Sequence, residues 1–289
     1  MEHDYQIKIK RPDEAGWISI GGGGGLAIIA GPCTAESKDL CVDVAGYLDE
    51  ICLDLGLNYI FKASYDKANR TSGASRRGPG FDEGLEYLQA VRTEVGCPVI
   101  TDVHEPAEAP NLPFCADIIQ IPALLSRQTS LLQAAAATGL PVNIKKGQFM
   151  SARDLGNAIL KMPPGTDVMV TERGNSFGYN NLVVDFRNIL WMREFFRPVI
   201  FDATHSSQFP SSDGAKSGGD RRLAPHLARA AVAMGVSGVF METHPDPDNA
   251  WSDGPNSIYL SDMKRILEGL YEIDHASREA ATDRDEILL

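Results

Sequence analysis

Short apolar segments rich in β-branched residues alternate along this chain with longer segments of amphipathic, helical periodicity. The short segments are Leu26–Gly31, Asn58–Ser64, Pro98–His104, Asp117–Pro122, Val142–Gly147, Asp167–Arg173, Pro198–His205 and Gly238–His244. The helical segments include Ser37–Leu55, Asp82–Val95, Arg127–Thr138, Ala152–Lys161 and Arg222–Met234. Near-continuous apolar strands that alternate with helices are typical of a parallel sheet covered on both faces.

Eight strand–helix units in one chain of 289 residues predict a single α/β domain, a (β/α)8 TIM barrel extending over residues 26–280. An open, doubly wound sheet is the alternative, but eight regular units of this length favour closure. A last helix is expected from about Leu260, and residues 281–289 form a charged tail.

Residues 1–25 have a different pattern. Two strand-like segments, Tyr5–Lys10 and Trp17–Ile20, flank turn residues at Pro12–Gly16, which predicts a β-hairpin that caps the bottom of the barrel. The glycines Gly21–Gly25 lack the Lys-Ser/Thr pair of a phosphate-binding loop, and they precede a strand instead of following one. We therefore expect a flexible linker from the hairpin to the barrel.

Composition narrows the classes of function. The formal net charge of -12 disfavours non-specific binding to nucleic acid or to an anionic membrane, so anionic substrates require a local cluster of Lys and Arg. The five cysteines are odd in number and irregularly spaced, which indicates free thiols in a reducing compartment. The N-terminal residues carry no signal-peptide pattern, and we expect a cytoplasmic protein with no membrane span.

Polar side chains fall at the predicted C-terminal strand ends, where TIM barrels place their catalytic residues. They are Cys33, Lys62, Lys67, Asn69, Arg70, Asp102, His104, Gln120, Lys145, Lys146, Arg173, Asp202, His205, Glu242 and His244. Strands that simply emerge into solvent would explain a few of these. They would not explain lysine and glutamate inside apolar segments such as YIFKAS, VNIKKG and GVFMETH.

Two chemical sets are distinguishable among these residues. Lys62, Lys67, Arg70, Lys145 and Arg173 form a cationic set suited to phosphate and carboxylate groups.

Cys33, His205, Glu242 and Asp253 offer a thiolate, an imidazole and two carboxylates, a donor set that suits one divalent metal such as Fe²⁺, Zn²⁺ or Mn²⁺. These four residues are far apart in sequence, and only closure of the barrel would make strands one, seven and eight neighbours.

Eight ordered motifs resemble the 3-deoxy-D-manno-octulosonate 8-phosphate synthase (2-dehydro-3-deoxyphosphooctonate aldolase) family between about Gly31 and Asp262. The motifs are GPCTAES, FKASYDKANRTS, TDVHEP, IQIPALLSRQTSLL, NIKKGQF, TERGNSFGYNNLVVDFR, FDATHS and METHPDPDNAWSDGPN. The resemblance implies condensation of phosphoenolpyruvate with D-arabinose 5-phosphate and water, giving the eight-carbon sugar acid phosphate of lipopolysaccharide biosynthesis and inorganic phosphate. It also implies a homotetramer.

The resemblance assigns roles residue by residue. Catalytic roles fall on Lys62, Asp102, His104 and His205, and substrate binding on Lys62, Lys67, Asn69, Arg70, Thr71, Gln120, Arg127, Lys145 and Arg173. Arg127 is expected to reach the sugar phosphate from a neighbouring subunit. The metal-free class of the family has asparagine where Cys33 stands, so Cys33, with His205, Glu242 and Asp253, implies the metal-dependent class.

Three alternatives stay open. The related synthase that uses erythrose 4-phosphate typically has Lys-Pro-Arg-Thr-Ser where this chain has KANRTS at Lys67–Ser72, so Asn69 favours arabinose 5-phosphate. A metal-dependent hydrolase barrel is the second alternative, although such enzymes usually have paired histidines on the first strand. A non-catalytic protein that binds sugar phosphates is the third.

Overall fold

The computed structural model describes residues 5–68, 76–178, 180–195, 197–213 and 216–282. The strands are β1 Gln6–Lys10, β2 Trp17–Gly21, β3 Ala27–Gly31, β4 Asn58–Lys62, β5 Val99–Asp102, β6 Ile118–Ile121, β7 Val142–Lys145, β8 Val168–Glu172, β9 Asn175–Ser176, β10 Leu182–Val183, β11 Val199–Asp202, β12 Gln208–Asp213, β13 Lys216–Gly219, β14 Gly238–His244 and β15 Ile258–Tyr259. The α-helices are α1 Lys38–Leu55, α2 Phe81–Glu94, α3 Thr129–Ala137, α4 Ala152–Ile159, α5 Arg187–Arg193, α6 Ala203–Ser206, α7 Leu223–Ala233 and α8 Met263–Thr282. Short 3-10 helices span Ala109–Phe114, Ala123–Leu125, Pro247–Asn249 and Leu260–Asp262.

Eight parallel strands close into a barrel, in the order β3, β4, β5, β6, β7, β8, β11, β14. Closure is completed on both sides of β14, which pairs in parallel with β3 and with β11. All residues of the eight strands except Asn58 are buried, so apolar side chains occupy both faces, as the near-continuous apolar segments require. The predicted TIM barrel is confirmed, and the open sheet is excluded.

The N-terminal hairpin closes the bottom of the barrel, as predicted. β1 and β2 pair antiparallel, and their inward isoleucines are buried. The isoleucines are Ile7, Ile9, Ile18 and Ile20, and they form one apolar cluster with barrel residues that include Ile60, Ile100 and Ile200. Burial of each side chain contributes about 1.5–3 kcal/mol, so the hairpin is held firmly.

A buried ion pair joins the hairpin to α1. The two terminal nitrogens of the Arg11 guanidinium, Nη1 and Nη2, donate to the carboxylate of Asp49, each at 2.9 Å. Downstream, Gly21–Gly25 forms a turn in which Gly24 N donates to Gly21 O at 3.0 Å. The five glycines therefore connect hairpin to barrel, as predicted, but through a defined turn.

Local signals in the sequence set the helix ends. Ser37 caps α1, since its hydroxyl accepts a hydrogen bond from Leu40 N at 3.2 Å. Gly56 ends the same helix with φ of 68°, a left-handed conformation that glycine adopts without steric cost. The predicted helices are present, and the first five have ends within two residues of their expected positions; the last one, α8, begins at Met263, after a 3-10 turn that starts at Leu260.

One element differs from expectation at a functional position. The seventh barrel strand was predicted to continue to His205, but it ends at Asp202, and the single-turn helix α6 follows. The cause is Asp202 itself, whose carboxylate accepts a hydrogen bond from His205 N at 2.9 Å and so caps the turn. His205 consequently lies on a helical turn above the barrel instead of in a strand.

Two further expectations concern the environment of the protein. All five cysteines are buried free thiols. Within the described part of the chain, no helix combines the length and apolarity that a membrane span needs.

Candidate active site

Lys62 lies at the centre of the polar cluster at the C-terminal ends of the barrel strands. Its Nζ is 3.2 Å from Glu242 Oε1 and 3.6 Å from Asp102 Oδ2, and it donates to Ser64 Oγ at 3.0 Å. Burial alone would lower the pKa of Lys62, but Asp102 and Glu242 outweigh it and raise the pKa. Lys62 is therefore a buried ammonium held between two carboxylates, with Lys67 Nζ also donating to Ser64 Oγ at 3.0 Å.

Lys145 forms a second buried cationic position. Its Nζ lies 2.6 Å from Asp202 Oδ2 and 3.7 Å from the centre of the Phe240 ring. Burial lowers the pKa of Lys145, although Asp202 opposes the shift. A negatively charged ligand that binds beside Lys145 would stabilise its charged form and raise its pKa.

Arg173 is joined to the opposite side of the site through Gln208. Its Nη2 donates to Gln208 Oε1 at 2.9 Å, and Gln208 Nε2 donates to Asp253 Oδ1 at 3.2 Å. One amide thus links the cationic set to the candidate metal ligands. Sequence reasoning missed Gln208, because the segment that forms the short strand β12 has no recognisable pattern in the sequence.

A row of amides runs across the barrel strands and fixes the carboxylate of Asp102. Thr171 Oγ1 donates to Asn143 Oδ1 at 2.7 Å, Asn143 Nδ2 to Gln120 Oε1 at 2.9 Å, and Gln120 Nε2 to Asp102 Oδ1 at 2.7 Å. Ser64 donates to the other carboxylate oxygen of Asp102. Burial would raise the pKa of Asp102, but Lys62 and Lys67 hold it well below its usual range. Asp102 is thus an oriented carboxylate.

Three of the four predicted metal ligands come together. One ligand atom each of Cys33, Glu242 and Asp253 lie within 4.8 Å of one another, and Cys33 Sγ donates to Asp253 Oδ2 at 3.0 Å. Glu242 Oε2 is buried and has no hydrogen-bond partner among the described residues. Burial raises the pKa of the Cys33 thiol, and Asp253 and Glu242 raise it further. A cation fits this arrangement, since it would neutralise the carboxylates, satisfy the orphaned oxygen and displace the thiol proton.

His205, the fourth predicted ligand, stands beside this group and is held by Asp202. His205 Nδ1 is 2.8 Å from Asp202 Oδ2, while His205 Nε2 faces Glu242 Oε1 at 3.8 Å. A carboxylate on one ring nitrogen orients the other toward a metal, as in carboxylate–histidine–metal arrangements.

The loop that carries Asp253 is fixed by contacts which sequence reasoning did not find. Trp251 N donates to Glu36 Oε1 at 2.7 Å, and His244 Nε2 is 3.6 Å from the same oxygen. Asp253 itself has φ of 49°, an uncommon conformation for a residue other than glycine. The backbone is held in this conformation where the carboxylate reaches Cys33.

The remaining predicted residues are placed less centrally. His104 is half-buried against the Tyr65 ring at 5.3 Å, and its Nδ1 has no partner in the described ranges. Arg127 is exposed and lines a separate surface cavity of about 350 Å³ with Phe149 and Lys161. Within one chain, Arg127 does not join the cluster. Asn69, Arg70 and Thr71 lie outside the described residues.

Comparison with known proteins identifies the family. The sequence matches the DAHP synthetase I family over residues 4–279. The chain belongs to this family. It is also 54% identical over 257 residues to a 2-dehydro-3-deoxyphosphooctonate aldolase of Dechloromonas aromatica (strain RCB), covering 88% of this chain and 92% of that protein.

Two further relatives carry the same name. The protein of that name from Xylella fastidiosa (strain M12) is 54% identical over 256 residues, with 88% and 93% of the two chains covered. The one from Legionella pneumophila (strain Lens) is 51% identical over 260 residues, with 89% and 95% covered. These similarities confirm the resemblance drawn from the motifs and favour neither the hydrolase barrel nor the non-catalytic binding protein.

Proposed function

We propose that the protein condenses phosphoenolpyruvate with D-arabinose 5-phosphate and water, giving 3-deoxy-D-manno-octulosonate 8-phosphate and inorganic phosphate for lipopolysaccharide biosynthesis. It is an enzyme that forms a carbon–carbon bond. The observation that carries the proposal is the convergence of Lys62, Lys145 and Arg173 at one barrel end, in a chain whose relatives are named for this product.

The cationic residues hold phosphoenolpyruvate. Lys62, Lys67, Lys145 and Arg173 would bind its phosphate and carboxylate, and fixed anions align the enol carbon with the incoming aldehyde. Lys62 and Lys145 are each paired with a carboxylate, so their positions are set before the substrate arrives. Water then adds to the second carbon of the enol, and phosphate leaves by cleavage of its C–O bond.

Cys33, His205, Glu242 and Asp253 would hold one divalent metal, Fe²⁺, Zn²⁺ or Mn²⁺. The metal would supply Lewis-acid polarisation of the aldehyde and of water. The described residues orient what surrounds it: Asp202 fixes the His205 ring, and Gln208 fixes Asp253.

Asp102, His104 and Gln120 line the pocket between the two substrates in this proposal. Asp102 is ionised and receives a hydrogen bond from Gln120, so it can accept a hydrogen bond from a substrate hydroxyl or water and orient that group. His104 and His205 would serve in proton handling, His205 in addition to binding the metal.

The proposed binding site for arabinose 5-phosphate is formed by residues of the KANRTS motif. Asn69, Arg70 and Thr71 would hold arabinose 5-phosphate, and Arg127 of a neighbouring subunit would reach its phosphate in a homotetramer. Arg127 is exposed and lies away from the candidate active site of its own chain, so its side chain is free to contribute to the site of a neighbouring subunit. Free thiols support a cytoplasmic location.

The test is phosphate release from phosphoenolpyruvate with arabinose 5-phosphate, with erythrose 4-phosphate and with neither, each with and without dipicolinate. Activity with arabinose 5-phosphate that dipicolinate abolishes and Mn²⁺ restores is the expected result. A preference for erythrose 4-phosphate would overturn the substrate assignment, and activity untouched by the chelator would leave Cys33 as a structural thiol.

Two variants test the assignments separately. Arg70→Ala is expected to raise the KM for arabinose 5-phosphate with little change in that for phosphoenolpyruvate. The reverse pattern would show that Arg70 binds the other substrate. Cys33→Asn is expected to keep some activity without metal, as the metal-free class does, and a folded but inactive variant would contradict this.

A further inference from the structure

A second polar cavity lies on the outside of the barrel, where α7 packs beside α8. Its volume is about 460 Å³, and it is lined by basic side chains above an apolar floor. Arg222, His226 and Arg229 project from one side of α7, since positions i, i+4 and i+7 share a helix face. Arg265 of α8 faces them, and the floor includes Ile258 and Ile266.

Two further contacts make one wall of this cavity rigid. Arg221 Nη2 donates to Asp248 Oδ1 at 2.6 Å and to Gly254 O at 2.9 Å, and its guanidinium lies 4.7 Å from the centre of the Tyr259 ring. Arg222 Nη2 is 2.7 Å from Asp220 Oδ2. These two arginines are therefore already neutralised by carboxylates of the protein.

The other basic residues of the cavity are not neutralised. The side chains of His226, Arg229 and Arg265 make neither a hydrogen bond nor an ion pair with any residue in the described ranges. The single carboxylate of the lining, Asp262, lies farther than 4 Å from each of their nitrogens. In a chain with a net charge of -12, a cluster of arginines without a carboxylate partner is uncommon, and because these side chains are exposed they are accessible to an anionic ligand.

We propose that this cavity binds a small phosphate ester. Two free guanidinium groups can each give forked hydrogen bonds to a tetrahedral dianion, and His226 adds a third donor. The apolar floor of Ile258, Tyr259 and Ile266 would take the organic part of the molecule. The site is distinct from the candidate active site, because its lining residues lie on α7, α8, β15 and the short segments that precede these helices, and none of them belongs to the cluster around Lys62 and Cys33.

The test is isothermal titration calorimetry with inorganic phosphate and with glucose 6-phosphate, on the full-length protein. The double variant R229Q/R265Q is expected to lose one binding site per chain, or to bind both probes at least tenfold more weakly at that site. The wild type and the variants all keep the active site, so binding of the probes there is the same in each and does not affect the difference between them. Lys264→Gln is the control for the removal of one positive charge, as in the single variant Arg265→Gln, because Lys264 is an exposed neighbour on α8 that does not line the cavity.

Equal numbers of sites and equal affinities in R229Q/R265Q and the wild type would overturn the proposal. Glucose 6-phosphate binding no more tightly than inorganic phosphate at this site would overturn the assignment to an ester. Thermal unfolding and turnover with saturating substrates are expected to match the wild type, which shows that the double variant is folded. If the variant fails to fold, the single variant Arg265→Gln gives the same comparison, with a smaller loss of affinity.

Discussion

Replacement of Asp202 by asparagine tests how the two chemical sets of the site depend on one another. In the wild type, Asp202 Oδ1 accepts a hydrogen bond from His205 N at 2.9 Å, while Oδ2 lies 2.6 Å from Lys145 Nζ and 2.8 Å from His205 Nδ1. Asparagine is an equally good helix cap, so its oxygen keeps the bond to His205 N. The amide nitrogen of the new asparagine, a donor, then faces the Lys145 ammonium, which is also a donor.

The loss of stability in Asp202→Asn can be estimated, because the mismatch lies in a fully buried position. Removal of one partner from a buried ion pair costs about 3–5 kcal/mol, because the remaining charge is left unpaired. Deprotonation of Lys145, whose pKa burial already lowers, relieves part of this, and we expect a loss of about 3 kcal/mol in the free energy of unfolding. For a chain of this size, the loss corresponds to a fall in Tm of roughly 6–12 °C.

Thermal unfolding at fixed protein concentration measures this effect. Asp185→Asn is the matched control: Asp185 pairs with the exposed Arg187 at 2.6 Å, and an exposed pair contributes less than about 1 kcal/mol. Since Asp202 also orients His205, metal affinity should fall about 10–100-fold, as measured by chelator competition. If Asp202→Asn shifted Tm no more than Asp185→Asn and bound metal as the wild type does, Asp202 would not connect the two sets.

Two further predictions concern the first barrel strand. Burial raises the pKa of the Cys33 thiol, so a metal that binds there must displace a proton. The apparent metal affinity should therefore increase with pH about tenfold more per pH unit in the wild type than in Cys33→Asn, between about pH 6 and 8. Equal slopes would mean that Cys33 does not bind as a thiolate. Gly31→Ala should lower stability by about 3 kcal/mol, because a Cβ there would lie 2.2 Å from the backbone oxygen of Lys62; Gly46→Ala, with no heavy atom within 4 Å, is the control and should not destabilise.

The barrel was predictable because its signal is repeated. Each strand is apolar on both faces, each helix has one apolar face, and eight repetitions leave few other architectures. The positions of Lys62 and Glu242 were predictable for the same reason, since a charge inside an apolar strand is costly without a partner. The structure supplies that partner, because the two side chains form a buried pair.

What the sequence did not reveal depends on side-chain geometry across elements. The helical turn that carries His205 arises from a single cap by Asp202, and strand periodicity cannot show it. The amide row was missed, although Asn143 and Thr171 are polar residues inside apolar strands. Their contacts depend on how neighbouring strands are paired, which the sequence does not give: Asp102 pairs with Gln120, and Gln120 pairs with Asn143. Gln208 has no such signal.

Pairing of the first barrel strand with the last has a consequence for how the protein is made. Cys33 and Asp253 are separated by 220 positions, and Glu242 is on the strand that closes the ring. During synthesis, the early part of the chain leaves the ribosome long before these partners exist, so the donor set is assembled only when the ring is complete. For the proposed metal, a nascent or truncated chain would offer Cys33 without its two carboxylate partners, so binding of the ion would be coupled to the last step of folding.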